Sequence, residues 1–589
     1  MKKNIWKKLT VMALAICLSV SCLCIAPAEA AEDTLTASME YLVDECGSRL
    51  YGTPNEEKAA AFVKAQFESF GYSDVQWVQP TLNSVSYVGK LSFSDGTQDI
   101  YGNCYPNSDA FAKVTAKLVD LGTDTAYAVP TGITGDIIGA VKFAEAPTLD
   151  AVNAIAAKIA ADYTDVTLKG LLLCKDNSIT VVRTKTLDNS TIPCVVTTEY
   201  FFDAALAKAD ALTGMERYER TVTNAVIATK EAATDDPDAI IIVTAHLDSV
   251  MAAPGASDNA TGVSTLIELA KKFSTVDNGN IKLIFGAVGA EEGGGMLGSM
   301  YIINNLTAEE KAIAINLNMD MLGAIQPTGD GVPLNAVSMD IYCGKGNNAK
   351  PLTLNLPAYL VTNGAADVTW ASGIENVRIF KYGSSDHQKF QEAGIDAASM
   401  IVVTDEDDDI ESINHSSADT IENNYSYERH LMCTNLMANG IQTAIDKELS
   451  KKAEITFTKK NDNTITAALS NGAQLFKLYD KVVATLSVEG AEPVELTFTA
   501  DALTAPVTVD PETCTITAIG YGSGVADNKD AQRSEELKNF SAALVAETTV
   551  KTAAPETGDT FNTTLYIGLL TLSAMAAAAV VCKAKKVEA

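Results

Sequence analysis

The sequence is poor in histidine and in positive charge. Its 589 residues include only four histidines, and 44 lysines and arginines stand against 75 aspartates and glutamates, which gives a formal net charge of −31. So large an excess of negative charge argues against nucleic acid and anionic membrane surfaces as partners. The composition is otherwise that of an ordinary folded protein, 47% hydrophobic and 20% charged, and the length allows several domains.

The cysteines lack any Cys-x-x-Cys spacing. Four of the eleven fall in the two end segments, and the other seven are scattered over the chain: Cys46, Cys104, Cys174, Cys194, Cys343, Cys433 and Cys514. An odd, widely spaced set excludes a zinc ribbon and a dense disulfide framework. We therefore expect mostly buried free thiols.

Residues 1–30 have the pattern of a secretory signal. A basic start is followed by an apolar run from Leu9 to Ile25 and by Ala28-Glu29-Ala30. This order of basic, apolar and small-residue regions predicts a signal peptide that is removed on export. An uncleaved membrane anchor is the alternative.

Residues 554–589 have the pattern of a surface anchor. Ala554-Pro-Glu-Thr-Gly558 precedes an apolar stretch just long enough to span a bilayer and a basic tail that would stay cytoplasmic. This order resembles the sorting signal of Gram-positive surface proteins, in which a sortase would join Thr557 to cell-wall peptidoglycan. Ala554 stands where that family usually has leucine, which leaves the sortase class open, and simple membrane anchoring is the alternative. We expect a secreted protein held at the cell wall or on the outer face of the membrane.

Hydrophobic periodicity divides the remaining chain. Buried-strand patterns such as Ala239–Thr244 alternate with helical patterns such as Thr261–Ser274, which predicts an α/β domain with a mixed central sheet flanked by helices. We assign this domain to residues 31–105 and 223–446, with residues 106–222 as an inserted domain. Residues 451–548 show short alternating strands and are predicted to form an all-β, sandwich-like spacer module.

Polar side chains follow the predicted strands of the α/β domain where each strand ends. The residues are His246, Asp248, Glu291, Glu292, Asp320, His387 and His415. Active sites of open α/β sheets lie outside the carboxyl ends of strands. Histidine and carboxylate are also the ligands of hydrolytic zinc sites. The sequence therefore predicts a catalytic metal centre at this edge of the sheet.

Six short segments carry a family resemblance. They are Thr244-Ala-His-Leu-Asp-Ser249, Gly255-Ala-Ser-Asp-Asn-Ala-Thr-Gly262, Gly289-Ala-Glu-Glu-Gly293, Asn318-Met-Asp-Met321, Ser385-Asp-His387 and His415-Ser-Ser-Ala-Asp-Thr420. Together they resemble the co-catalytic di-zinc exopeptidases, which include bacterial secreted aminopeptidases and glutamate carboxypeptidase. The resemblance covers residues 34–105 and 223–446. Residues 106–222 weakly resemble the protease-associated domain that is often inserted in this family.

The resemblance implies two zinc ions per chain. His246 and Asp320 would hold one ion, Glu292 and His415 the other, and Asp258 would bridge both. Glu291 would act as the general base on a water shared by the metals. Asp248 would accept the second N–H of the His246 imidazole, and the Asp258–Asn259 peptide bond stands where the family has a cis peptide.

Other residues are assigned less directly. The position before the last zinc histidine is Asn414, where several relatives have an oxyanion-stabilising tyrosine, so either Asn414 or Tyr382 would take that role. His387 is expected in the substrate cleft or as support behind the metal ligands rather than on a metal, and His430 has no expected role.

These features predict an extracellular zinc aminopeptidase that acts on peptide substrates. A carboxypeptidase, a single-zinc glutaminyl cyclase and a non-catalytic surface receptor or adhesin are the alternatives. The sequence indicates neither the preferred terminal residue nor an oligomeric state.

Overall fold

The computed structural model describes residues 34–209, 211–323, 337–342, 354–364, 374–380, 384–404, 413–460, 463–523 and 539–553. The predicted signal peptide, the sorting signal with Thr557, Tyr382 and Cys343 lie outside these ranges. Within them, no helix is both long and apolar enough to cross a membrane. The chain divides into two compact units, one of Met1–Lys451 with Tyr521–Ala542 and one of Lys452–Gly520 with Ala543–Ala589.

An eight-stranded mixed sheet carries the candidate site. Its strands lie in the order Asp74–Val78, Ala225–Lys230, Ile281–Val288, Ala239–His246, Ala314–Asp320, Asp396–Thr404, Val337–Tyr342 and Ile374–Phe380. The third to sixth strands in this order run parallel to one another. Every residue of Ala239–His246 is buried, as the apolar run of this segment predicts for a strand covered on both faces.

Helices accompany this sheet along the chain. They are Thr34–Glu40, which continues as a π-helical turn over Tyr41–Glu45, then Pro54–Ser69, Thr261–Ser274, Leu297–Asn305, Ala308–Ile313, Leu356–Gly364, His387–Glu392, Ile421–Asn424 and Tyr427–Asp446. The apolar stripe of Thr261–Ser274 is buried, as its helical spacing predicts. A capping box of Thr307 and Glu310 starts the short helix that ends at Ile313, and the next strand begins directly after it at Ala314.

A second sheet begins earlier in the chain than the sequence indicated. Its strands lie in the order Ala126–Tyr127, Val114–Thr123, Gly135–Phe143, Val166–Lys175, Cys194–Thr197, Ile100–Tyr105, Thr81–Phe93 and Leu212–Val222, with helices Leu149–Asp162 and Glu199–Leu206 and a 3₁₀ turn at Lys185–Asn189. Residues 81–105, predicted to belong to the α/β domain, pair instead with Leu212–Val222 and Cys194–Thr197. These partner strands follow more than 85 residues later in the chain. The alternation of apolar and polar residues within a strand does not indicate which other strand it pairs with. The second sheet therefore begins at Thr81.

Strands also dominate after Lys451. Seven of them follow the order Val494–Thr499, Lys481–Ser487, Thr515–Ser523, Asn539–Thr552, Lys452–Lys459, Ile465–Leu469 and Thr504–Val507, with a short helix at Gly472–Leu475 and a 3₁₀ turn at Pro511–Thr513. The spacer role of this part stays a prediction.

The cysteines behave as expected. Within the described ranges, five are buried free thiols and Cys514 is a half-buried one.

Candidate metal centre

Strand register brings His246 and Asp320 together. Thr244 lies beside Asn318 in the parallel pair, so the residues two positions further along end their strands side by side. His246 Nε2 is 3.3 Å from Asp320 Oδ1, and the imidazole is buried.

Asp258 stands between two histidines. Its Oδ1 is 3.1 Å from His246 Nε2, and its Oδ2 is 3.1 Å from His415 Nε2. His415 Nε2 is in turn 3.3 Å from Glu292 Oε2. The five residues predicted as zinc ligands therefore meet in one place, with His246 and Asp320 on one side of Asp258 and Glu292 and His415 on the other.

The backbone around Asp258 is held by two side chains that the sequence did not single out for this. The Asp419 carboxylate accepts the N–H groups of Ser257 and Asp258, at 2.9 and 3.0 Å. The Asn259 amide donates to the Met319 carbonyl and accepts from the Gly262 N–H, both at 2.9 Å. The Asp258–Asn259 peptide bond is cis, as the family resemblance implies. Asp419 lies four residues after His415, in one of the segments that carry the family resemblance. This position is the feature of the sequence that could have indicated its role.

Asp248 contacts His246 through its backbone and the two glutamates through its side chain. His246 Nδ1 lies 3.0 Å from the Asp248 backbone oxygen but 3.9 Å from its carboxylate. A carbonyl can only accept, so Nδ1 carries the proton and Nε2 is free to bind a metal. The Asp248 carboxylate instead accepts the N–H groups of Glu291 and Glu292, at 3.2 and 3.0 Å. Asp248 therefore accepts the second N–H of His246, as the resemblance implies, but through its backbone, because the Glu291–Glu292 N–H groups occupy its carboxylate.

Ser385 holds the outer oxygen of Asp320. Its hydroxyl donates to Asp320 Oδ2 at 2.8 Å and accepts from the Asn318 amide at 2.8 Å. The sequence placed Ser385 in a recognisable segment without giving it this role.

His387 does not line the cleft, contrary to the prediction. It begins the helix His387–Glu392 and is fully buried. Burial lowers the pKa of its imidazole to about 4, so it is neutral at neutral pH. The segment does reach the cleft, but through Ser384 and Lys389.

The cleft has a volume of about 820 Å³ and contains the whole cluster. Its lining includes His246, Asp258, Glu291, Glu292, Asp320, Met321, Ser384, Lys389, Asn414 and His415. The Asn414 amide nitrogen lies 3.5 Å from Met321 Sδ, a weak acceptor. Asn414 is therefore in reach of a substrate, whereas the other oxyanion candidate, Tyr382, lies outside the described residues.

The electrostatics of the cleft favour cations. Burial raises the pKa of Glu291 far above its usual range, and Asp320 and Asp386 add to this rise although His246 opposes it. Burial and then Asp258 raise the pKa of Glu292, whose buried Oε1 accepts no hydrogen bond in the described part of the chain. Burial opposes a charged His246, but Asp320 and Asp258 raise its pKa well above the usual value. Crowded carboxylates with an unsatisfied oxygen, next to imidazoles, are a donor set that fits divalent metal ions.

Four carboxylates line the cleft, those of Asp258, Glu291, Glu292 and Asp320. So many acidic groups in a buried place favour bound cations.

Comparison with known proteins places the same residues in one family segment. Residues 224–440 match the model described as Peptidase family M28, and every candidate ligand lies within them. The chain is 29% identical over 251 residues to Aminopeptidase YwaD of Bacillus subtilis, which covers 42% of this chain and 51% of that protein. It is 33% identical over 166 residues to Leupeptin-inactivating enzyme 1 of Streptomyces exfoliatus, covering 27% of this chain and 32% of that one. The chain thus spans about half or less of the length of these curated relatives.

Among solved structures, the chain is similar to that of BSAP, a zinc aminopeptidase from Bacillus subtilis. The two share 24% identity with a TM-score of 0.44, over 70% of this chain and 94% of that one.

Proposed function

We propose that this chain is a metallo-exopeptidase that binds two zinc ions and removes residues from the amino terminus of peptides. One observation supports this most: each carboxylate oxygen of Asp258 faces a different histidine, with Asp320 and Glu292 completing the two sides. A carboxylate shared in this way is what two neighbouring cations need to offset their repulsion. His246 and Asp320 would hold one zinc, Glu292 and His415 the other, and Asp258 both.

The chemistry divides between the metals and the chain. When bound, a zinc pair supplies Lewis acidity to the peptide carbonyl and lowers the pKa of water. Glu291 is not needed as a ligand, and Asp248 fixes its backbone N–H at the edge of the cleft. Its carboxylate would take a proton from the attacking water and give it to the leaving amine. Asn414 would donate a hydrogen bond to the oxygen that gains charge.

The charge of the cleft favours an amino-terminal substrate group. Besides the histidines, the only cation among the described lining residues is Lys389, and its ammonium already lies 3.0 Å from Glu392. A carboxypeptidase would need a cation that is free to bind the substrate's terminal carboxylate. Lys389 is the described lining residue that could take this part if it left Glu392, and it is therefore the residue that supports the carboxypeptidase alternative.

A substrate panel tests the proposal. We expect the purified protein to cleave aminoacyl-coumarin amides and to leave N-acetylated peptides intact. Lys389→Gln should change kcat/KM by less than about threefold, because a rim charge that is already paired contributes little. Lys272→Gln, on the exposed side of the helix Thr261–Ser274, is the control.

Two outcomes would decide against an aminopeptidase. Cleavage of N-acetylated peptides at a free carboxyl terminus, lost in Lys389→Gln, would establish the carboxypeptidase. A protein that cleaves no substrate of the panel would favour the non-catalytic receptor.

We further propose that the protein works outside the cell, held at the wall through Thr557 or on the outer membrane face. The two end segments of the sequence support this placement. Such a location fits a peptidase that shortens external peptides.

A further inference from the structure

A second hollow adjoins the cleft. It has a volume of about 190 Å³ and shares Gly293 and Gly295 with the cleft lining. Its other wall comes from Tyr51 and from residues Leu82, Asn83, Ser84 and Ser86 of the second sheet. The metal-bearing cleft therefore continues over a run of three glycines, Gly293 to Gly295, into this hollow.

The wall is a wide bulge in a strand pair. In the pairing of Thr81–Phe93 with Leu212–Val222, Thr81 lies opposite Val222, and the next registered pair is Ser86 with Arg220. Four residues, 82–85, thus stand opposite the single residue Thr221. Bulges next to active sites commonly re-aim side chains, and this one places Asn83 and Ser84 at the glycine run.

Arg220 fixes the wall in place. Its guanidinium donates to the Tyr51 carbonyl at 2.9 Å and to the Ser86 hydroxyl, and it lies 4.2 Å from the centre of the Tyr51 ring. The side chain is only 7% exposed. The hollow is therefore preorganised and does not depend on a substrate to form it.

The floor offers backbone groups to a ligand. A Cβ at Gly294 would come within 2.4 Å of the Ala290 Cβ, so a side chain there would displace the loop that carries Glu291. In the described part of the chain, the N–H groups of Gly294 and Gly295 make no hydrogen bond. Unpaired backbone donors beside a shallow groove are what an extended peptide uses when it binds through its main chain.

We propose that the hollow and the glycine run bind the peptide residues that follow the one removed. This inference rests on the proposed function, since the scissile bond must lie at the metal centre. Most of the wall residues are small or polar and the floor offers backbone N–H groups, so the subsite should select for peptide length rather than for particular side chains. The chain would then prefer peptides of three or more residues over dipeptides and aminoacyl amides.

Filling the hollow tests the subsite. The kcat/KM for a tetrapeptide should exceed that for the aminoacyl-coumarin with the same terminal residue by about tenfold, the size of one added main-chain hydrogen bond. Ser84→Trp should abolish this preference by lowering kcat/KM for the tetrapeptide. Thr115→Trp, at an exposed position of the same sheet away from both cavities, should keep the preference.

The outcomes separate the subsite from the proposed function. Equal kcat/KM for long and short substrates in the unaltered protein, or a preference that survives Ser84→Trp, would overturn the subsite while leaving the peptidase intact. A protein that cleaves neither substrate would overturn the peptidase, and the subsite with it.

Discussion

Two adjacent glutamates have different surroundings in this cleft. Glu292 lies 3.3 Å from His415 on the metal side, whereas Glu291 pairs with neither histidine, and the Asp248 carboxylate holds the N–H groups of both. The two glutamates stand at the start of a turn, in which the Gly293 N–H donates to the Glu291 carbonyl at 2.6 Å. One carboxylate can therefore serve as a ligand while the other remains a base.

Glu291→Gln should separate metal binding from turnover. The amide keeps the shape but cannot accept the proton, so kcat should fall by about 10²–10⁴-fold, while the zinc content stays that of the unaltered protein. Parallel metal analysis and steady-state kinetics would measure both. Glu309→Gln, in the exposed first turn of the helix Ala308–Ile313, is the control, and unchanged activity in Glu291→Gln would remove the base.

The sequence predicted which residues meet but not how they touch. Short segments with histidine and carboxylate at strand ends were enough to gather the cluster around Asp258. Hydrogen-bond partners were not readable, because they depend on distances between segments far apart in the chain. Thus Ser385 and Asp419 had no assigned role, and the hydrogen bonds from the Glu291 and Glu292 N–H groups to the Asp248 carboxylate were not foreseen.

The end of the strand Ile281–Val288 sets the position of the glutamates. A Cβ at Gly289 would come within 2.4 Å of both Glu56 Oε1 and Thr223 Oγ1. Glu56 is fully buried and accepts hydrogen bonds from the Gly52 N–H and the Asn224 amide, at 2.7 and 2.8 Å. This rigid network leaves no room for a larger residue two positions before Glu291.

Gly289→Ala should therefore destabilise the fold. Overpacking of a tight interior costs about 1–3 kcal/mol, and we expect the free energy of unfolding in urea to fall by that amount, with activity lowered as the loop shifts. The double variant Gly289→Ala with Thr223→Ala removes one of the two clashing oxygens and should regain part of the loss. If Gly289→Ala is as stable as the unaltered protein, the hydrogen-bond network around Glu56 can shift at little cost in free energy, which would contradict this account.

The bounds of helices and strands with a regular spacing of apolar residues were predicted better than the pairing of the strands. The helix Thr261–Ser274 has its predicted bounds, and the strand predicted over Ala239–Thr244 is present and ends at His246, since each carries a continuous buried face. The strand Thr81–Phe93 was assigned to the α/β domain but pairs within the second sheet. Neither its bulge nor its distant partner strand can be recognised from the residues of the strand itself.

The molecule combines a recognisable core with parts of unassigned role. Residues 224–440 match Peptidase family M28, whereas the second sheet and the strands after Lys451 lie largely outside that match. Sheet order could not be read from the sequence, although the alternation of strands and helices gave the α/β class. The second sheet gains a specific role through the wall it gives to the hollow.

The zinc content of the purified protein tests the two-metal centre most directly. Elemental analysis should find two zinc ions per chain, about one in His415→Ala, and two in the neighbouring control Asn414→Ala. His415 is exposed at the cleft mouth, so its removal should spare the fold. A single zinc per chain in the unaltered protein would support the cyclase alternative and contradict the shared role of Asp258, and no bound zinc would contradict a metal enzyme altogether.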